Sequence, residues 1–255
     1  MLLNVHEWGR RDAQPVVCLH GVTAHGLRFA KLAEERLASR FRVLAPDLRG
    51  HGRSEWEPPW GLADHVADVR ETLAAAGVER AAFVGHSFGG RLVLELTALG
   101  LVERSVLIDP AVWVPPPIAL ARAEEERVER SFETVEDAIA ARTPTAALAP
   151  LELLEQELRD HLVRGDDGRL RYRYLRSAVV AAYGELTRPP PDWAQLRVPT
   201  LLVAGATSDI VPEVVVELLR SELEGVLEIE IVPGGHSPLW DAYDATAEAI
   251  KRFLG

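Results

Sequence analysis

The chain has a single cysteine, Cys18, so no intrachain disulfide can form. Its neighbours Val16, Val17 and Leu19 are apolar, which reads as a small buried thiol rather than a nucleophile and favours a reducing compartment. Long apolar runs are missing, and none approaches the length that crosses a bilayer. Met1 to Arg11 holds His6, Glu7, Arg10 and Arg11 where a secretory signal needs an apolar stretch, so a cytoplasmic protein is expected. Positive charge is short too. Lys and Arg number 28 against 39 Asp and Glu, a net −11 that repels phosphate backbones and anionic lipid and argues against nucleic-acid and membrane partners. Lys31 and Lys251 are the only lysines, and no function attaches to that.

What is present is an ordinary globular balance, 47% hydrophobic and 26% charged, which excludes disorder, collagen-like repetition and a coiled coil. A length of 255 residues implies one large domain or a domain with an insertion. The longest like-charged run, Glu124-Glu125-Glu126, is flanked by arginines and reads as a solvated helix face. No internal repeat or low-complexity tract is found.

Short apolar runs alternate with stretches of helical period, the pattern of a parallel sheet with crossover helices. Val16–Leu19, Val43–Ala45, Ala81–Val84, Val106–Ile108 and Leu201–Ala204 are apolar throughout, as central strands covered on both faces should be. Leu3–His6 and Leu227–Ile231 alternate instead and belong nearer the edges. Leu27–Ser39, Leu62–Ala76, Arg91–Leu99 and Ala242–Leu254 carry apolar residues at three- and four-residue spacing and are expected to be the covering helices.

The alternation stops between Trp113 and Asp192. This stretch is bounded by Pro115-Pro116-Pro117 and Pro189-Pro190-Pro191, which read as stiff extended spacers, and it contains four helical patterns: Leu120–Arg130, Val135–Ala141, Leu151–Val163 and Arg171–Thr187. Residues 1–112 and 193–255 are thus expected to form the core, and 113–192 a helical cap.

Gly85-His86-Ser87-Phe88-Gly89-Gly90 lies between an expected strand and an expected helix, the setting of a Gly-x-Ser-x-Gly nucleophile elbow. Such a turn strains the backbone of Ser87 and needs very small residues two positions before and after it, which Gly85 and Gly89 supply. A serine hydroxyl needs a base, and the base needs a carboxylate. His236, in Gly234-Gly235-His236-Ser237-Pro238 beyond the last expected strand, is the best placed histidine; His6, His65, His86 and His161 fall in strands, helices or beside the elbow. Two aspartates follow apolar strands. Asp209 is favoured for its place after the later strand and its nearness to His236, with Asp109 as the alternative acid. An oxyanion forming on a substrate carbonyl needs preorganised donors, for which the backbone N–H groups of Phe88 and of Val22, after His20-Gly21, are available.

These features together resemble the α/β-hydrolase superfamily, in particular its capped carboxylesterase-like members, over nearly the whole chain outside the cap. The resemblance rests on Leu19-His20-Gly21, on Asp47-Leu48-Arg49-Gly50-His51-Gly52-Arg53-Ser54, on the elbow at Ser87, on Asp209 and on Gly235-His236. It implies an α/β fold with a mostly parallel sheet of seven or eight strands flanked by helices, and a structural role for Asp47 and His51. The family's sheet usually begins with an antiparallel pair; here Leu2–Trp8 reads as its second member alone.

A serine nucleophile points to carbonyl substrates, and the expected activity is hydrolysis of carboxylic esters through an acyl-enzyme, with no metal or organic cofactor. Trp113, Leu239 and Trp240, next to the chemistry or at the entrance to the cap, suggest a pocket for an apolar group. Two other readings stand beside this one. A carbon–carbon bond hydrolase of the meta-cleavage-product type needs a cation for the substrate carboxylate, for which Arg91 and Arg188 are candidates, although such enzymes typically carry Asn where this chain has His86. A receptor that merely binds a ligand in the hydrolase pocket is disfavoured by the intact Ser87, Asp209 and His236.

Overall fold

A computed structural model describes residues 1–142 and 148–255. Along the chain the strands are β1 (Val5–Trp8), β2 (Gln14–Leu19), β3 (Phe41–Pro46), β4 (Ala81–His86), β5 (Val102–Ile108), β6 (Ser131–Phe132), β7 (Leu162–Arg164), β8 (Leu170–Tyr172), β9 (Thr200–Gly205) and β10 (Leu227–Val232). The helices are α1 (Ala30–Leu32), α2 (Leu62–Ala75), α3 (Phe88–Ala98), α4 (Pro116–Glu126), α5 (Val135–Arg142), α6 (Leu151–His161), α7 (Arg176–Glu185), α8 (Glu213–Glu222), α9 (Pro238–Asp241) and α10 (Tyr243–Leu254). All strands but β6 to β8 form one seven-stranded sheet in the order β1-β3-β2-β4-β5-β9-β10. Only β1, the edge strand, runs antiparallel, pairing Val5 to Trp8 with Pro46 to Val43. No helix among the described residues is long and apolar enough to cross a membrane.

Successive residues of the central strands enter opposite layers of the core, as the period of two demands. Val17, Leu44, Phe83 and Leu107 pack with Leu73, Leu92 and Leu219 on one side of the sheet. Val16, Cys18, Val43, Val84 and Val106 pack with Leu32, Ile250 and Phe253 on the other. Burying each such Leu or Phe contributes about 1.5–3 kcal/mol. Cys18 is fully buried, and that burial pushes its thiol pKa up. The expected helix Leu27–Ser39 is a composite: a 3₁₀ turn at Gly26–Phe29, α1, and a wide turn at Ala33–Leu37 closed by a 2.8 Å bond from Ala38 N–H to the Ala33 carbonyl. It still delivers Phe29, Leu32, Ala33 and Leu37 to the core.

The excursion 113–192 departs from the all-helical expectation. It holds α4 to α7 and also a three-stranded antiparallel sheet in the order β6-β8-β7. α6 stops at His161, and the chain reverses through Gly165-Asp166-Asp167-Gly168, where Gly168 adopts φ +78°, a left-handed conformation that costs glycine little. The leading prolines are not a spacer throughout: Pro116 and Pro117 open α4, where a missing N–H costs nothing. Phe132, Ala138, Leu154, Leu158, Leu162 and Leu170 form a small core of their own with Trp240.

Arg91 fastens both ends of this excursion to α3. Its buried guanidinium donates to the carbonyls of Val112 and Arg188, each at 2.9 Å, and of Pro189 at 2.7 Å, while Glu95 balances its charge at 2.9 Å.

Candidate active site

Four apolar strand ends and one late loop bring the polar residues together. β4 runs into Ser87, whose φ of 54° is one of two positive values at non-glycine residues among the described residues, the other being Asp109 at 43°. Conformations of this kind cost on the order of 1–3 kcal/mol and persist where the surroundings hold them. At Ser87 the surroundings are glycines. A Cβ on Gly85 would meet the Gly89 carbonyl oxygen at 2.5 Å, and one on Gly89 would meet the Leu19 oxygen at 2.0 Å. The loop after β2 comes equally close, since a Cβ on Gly21 would stand 3.2 Å from Ser87 Cβ.

His236, carried back over the sheet beyond β10, places Nε2 2.9 Å from Ser87 Oγ and Nδ1 2.6 Å from Asp109 Oδ2. A carboxylate only accepts, so Nδ1 carries the proton and Nε2 turns its lone pair to the serine hydroxyl. Asp109 is wholly buried at the end of β5. Its Oδ1 accepts from Gly205 N–H at 3.1 Å, and its Oδ2 also accepts from Ser208 Oγ at 2.6 Å. His86, just before the serine, donates through Nε2 to the His236 carbonyl at 2.7 Å and tethers that loop. Burial, with His236 close by, holds His86 well below the usual imidazole range, so it is neutral.

The expected acid is therefore corrected. Asp209 lies beyond hydrogen-bonding reach of the histidine: its side chain is 65% exposed and accepts from Arg122 Nη2 of α4 at 2.9 Å. β5 and β9 are neighbours in the sheet, so both aspartates leave adjacent strand ends. Asp109 follows its strand directly and points inward, whereas Asp209 comes after the turn at Ser208. Ser208 was missed by the sequence reading; its signal was a hydroxyl one position before the favoured acid.

Phe88 is the first residue of α3, with its N–H at the helix's positive end. Val22 follows Gly21, and histidines fix the carbonyls of both: His20 Nδ1 lies 2.8 Å from Gly21 O and His51 Nε2 2.6 Å from Val22 O. Asp47 accepts from the backbone N–H of Gly26 at 2.8 Å and of Arg53 at 2.9 Å, in keeping with a structural role. No cluster of three or more His, Cys, Asp or Glu among the described residues is arranged to hold a metal ion.

The aromatic and apolar residues expected to line a pocket sit elsewhere. Leu239 is buried in the core layer with Val16 and Ile250, because α9 turns it under the sheet. Trp240 packs into the small core of the excursion, with the Arg28 guanidinium 3.7 Å from its ring centre. Trp113 is 47% exposed and donates from Nε1 to the Thr187 carbonyl at 2.9 Å. Arg91 is buried and committed to backbone carbonyls and Glu95, while Arg188 is exposed and pairs at the surface with Glu185 at 3.0 Å.

Residues 16–249 match the alpha/beta hydrolase family. Lipase LipV of Mycobacterium tuberculosis is 34% identical over 191 residues, covering 73% of this chain and 72% of that protein. Esterase YbfF of Escherichia coli is 26% identical over 251 residues, covering 96% and 94%. Among solved structures, E-2-(acetamidomethylene)succinate hydrolase superposes with a TM-score of 0.88 at 25% identity, covering 99% of this chain and 94% of the other.

Proposed function

The chain belongs to the alpha/beta hydrolase family, and on that premise we propose that it hydrolyses carboxylic esters through an acyl-enzyme on Ser87. The observation that carries this reading is the unbroken line of hydrogen bonds from Ser87 Oγ through His236 to Asp109. The lipase and esterase names of two relatives point the same way.

His236 Nε2 takes the hydroxyl proton as Ser87 Oγ attacks the ester carbonyl carbon. The carbonyl electron pair moves to oxygen, which the N–H groups of Val22 and Phe88 receive; one such donor is typically worth about 2.7–4 kcal/mol in the barrier. Collapse breaks the bond to the alcohol oxygen, and His236 hands it the proton. Water, deprotonated by the same nitrogen, then attacks the acyl-enzyme and releases the acid and Ser87. Asp109 remains ionised throughout and stabilises the imidazolium.

We read residues 113–192 as a cap over this site. In support, His161 of α6 stacks on His25 with ring centres 4.5 Å apart, Glu157 pairs with Arg28 at 3.0 Å, and Tyr174 bridges to His51.

The test is a fluorophosphonate probe together with p-nitrophenyl esters. Labelling of Ser87 and ester turnover, both abolished in Ser87→Ala, are expected. Turnover no higher than in the Ser87→Ala control, with no labelling, overturns the reading in favour of a pocket that only binds.

A further inference from the structure

Three backbone segments meet at Ser87: the elbow itself, the loop after β2 that holds Gly21 and Val22, and the loop after β10 that carries His236. The ring of His86 touches all three. It belongs to the elbow, as the residue before the nucleophile. Its Nε2 stands 2.7 Å from the His236 carbonyl oxygen, and its ring centre is 5.0 Å from that of His236. Towards the loop after β2, a Cβ on Gly21 would stand 3.2 Å from His86 Nδ1, the same distance as from Ser87 Cβ.

The protonation of this ring follows from its partners. A carbonyl only accepts, so Nε2 carries a proton. The residue is buried, and that burial, then the nearby His236 and Arg28, keeps the ring from taking a second one. Nδ1 is therefore a lone pair, buried and with no partner among the described residues. An orphaned buried acceptor weakens a fold, so a histidine is not the side chain that stability alone would place here. What the ring supplies is the donor at its far end.

That donor holds the main chain of the base. Asp109, 2.6 Å from Nδ1, sets the direction of the His236 ring, but how far the ring reaches depends on where its own backbone stands. Before His236, the Gly234 carbonyl accepts from Thr207 N–H at 2.9 Å and Gly235 N–H donates to Asp241 at 2.8 Å; after it, the Ser237 carbonyl accepts from Trp240 N–H at 2.8 Å. Between these ties the His236 carbonyl accepts from His86. The 2.9 Å from His236 Nε2 to Ser87 Oγ is thus governed from the residue that adjoins the serine. Resting on the ester-hydrolase reading, we propose that His86 is a positioning residue, whose Nε2–H, donated to the main chain of His236, locks the base to the backbone of the nucleophile so that the two keep their alignment as one unit.

The experiment compares His86→Phe, which fills the space of the ring without a donor, with His86→Gln, whose side-chain N–H reaches about as far as Nε2. For each, kcat and KM on a p-nitrophenyl ester, the pH profile of kcat/KM and the rate of Ser87 labelling by a fluorophosphonate are measured per folded molecule. In His86→Phe, kcat falls by about ten- to a hundredfold, the scale on which a misplacement of about 1 Å acts. KM stays within about twofold, labelling slows in step with kcat, and the acid limb of the profile keeps its midpoint. His86→Gln recovers most of the loss, which also guards against a folding defect in the first variant. Wild-type kcat in His86→Phe, equal losses in the two variants, a loss carried by KM, or a displaced acid limb that accounts for the loss each overturns the proposal and leaves the ester-hydrolase reading standing. If the wild type neither turns over esters nor labels, that reading fails instead. The anchor is then judged by amide hydrogen exchange over residues 234–237: faster exchange in His86→Phe, slowed again in His86→Gln, supports it, and exchange at the wild-type rate overturns it.

Discussion

Ser208 Oγ stands 2.6 Å from Asp109 Oδ2, on the same oxygen that His236 Nδ1 approaches to 2.6 Å. The hydroxyl has little choice of direction, because its oxygen also accepts from the N–H groups of Ile210 and Val211, each at 3.1 Å. It must donate to the carboxylate.

Ser208→Ala removes that donor and leaves a buried carboxylate lone pair unpaired. The expected loss in kcat is about tenfold, since one hydrogen bond to a charged group is worth about 1.5–3 kcal/mol and only part of it acts in the transition state. Steady-state kinetics on a p-nitrophenyl ester check this, and Ser208→Thr, which keeps the hydroxyl, restores most of the rate. A Ser208→Ala enzyme with wild-type kcat removes Ser208 from any positioning role.

Asp109→Asn is expected to lower kcat by about 10⁴, the scale on which loss of a triad orienter acts, whereas Asp209→Asn changes little. Asp209 loses only a surface ion pair with Arg122, worth about 0–1 kcal/mol to stability. The reverse ranking in a paired kinetic measurement would return the acid to Asp209.

These two aspartates show where the sequence was legible. The five apolar strands, the edge character of β1 and β10, the elbow and His236 all follow from local pattern, because a side-chain period or a glycine pair records its own geometry. Which aspartate reaches His236 depends on the order of strands, and neighbouring β5 and β9 are separated by 91 residues of sequence between Ile108 and Thr200. Nearness in the chain to His236 was therefore no guide. The sheet within the excursion was readable in part: Asp167-Gly168 between Leu162–Arg164 and Leu170–Tyr172 is a hairpin signal that the surrounding helical pattern obscured. Leu239 and Trp240 were misplaced for another reason, since proximity to His236 in sequence does not fix which way a short helix turns.

Buried neutral histidines make the fold sensitive to acid. Burial, helped by the nearby His51, lowers His65 to about 3, and burial lowers His25 to about 3. Unfolded histidine titrates near 6.5, so between that pH and about 3 the unfolded chain binds the extra protons and stability falls as pH falls. Each such group steepens the fall by up to about 1.4 kcal/mol per pH unit. His65→Leu, at a ring with neither nitrogen partnered among the described residues, should flatten the curve of urea stability between pH 6.5 and 4 relative to the wild type. Parallel curves would count against the assignment.

Asp47 acts in the opposite sense. Burial alone would raise its pKa, but hydrogen bonds from His6 and from the N–H groups of Arg53 and Gly26 outweigh it and hold the carboxyl well below its usual range. Its stabilising effect is complete above about pH 4 and is lost as pH falls below that. Asp47→Asn should cost about 2–3 kcal/mol, read as a melting temperature lower by roughly 4–12 °C, with kcat per folded molecule unchanged. A melting temperature equal to the wild type's would show the network to be redundant.

The guanidinium of Arg91 gathers the carbonyls of Val112, Arg188 and Pro189 at one point on α3. An excursion of some eighty residues therefore departs and returns through the same doorway on α3. Change in that stretch is bounded at its two ends by Arg91 and in its interior by the Arg28–Glu157 pair and by Trp240, which sits four residues from His236.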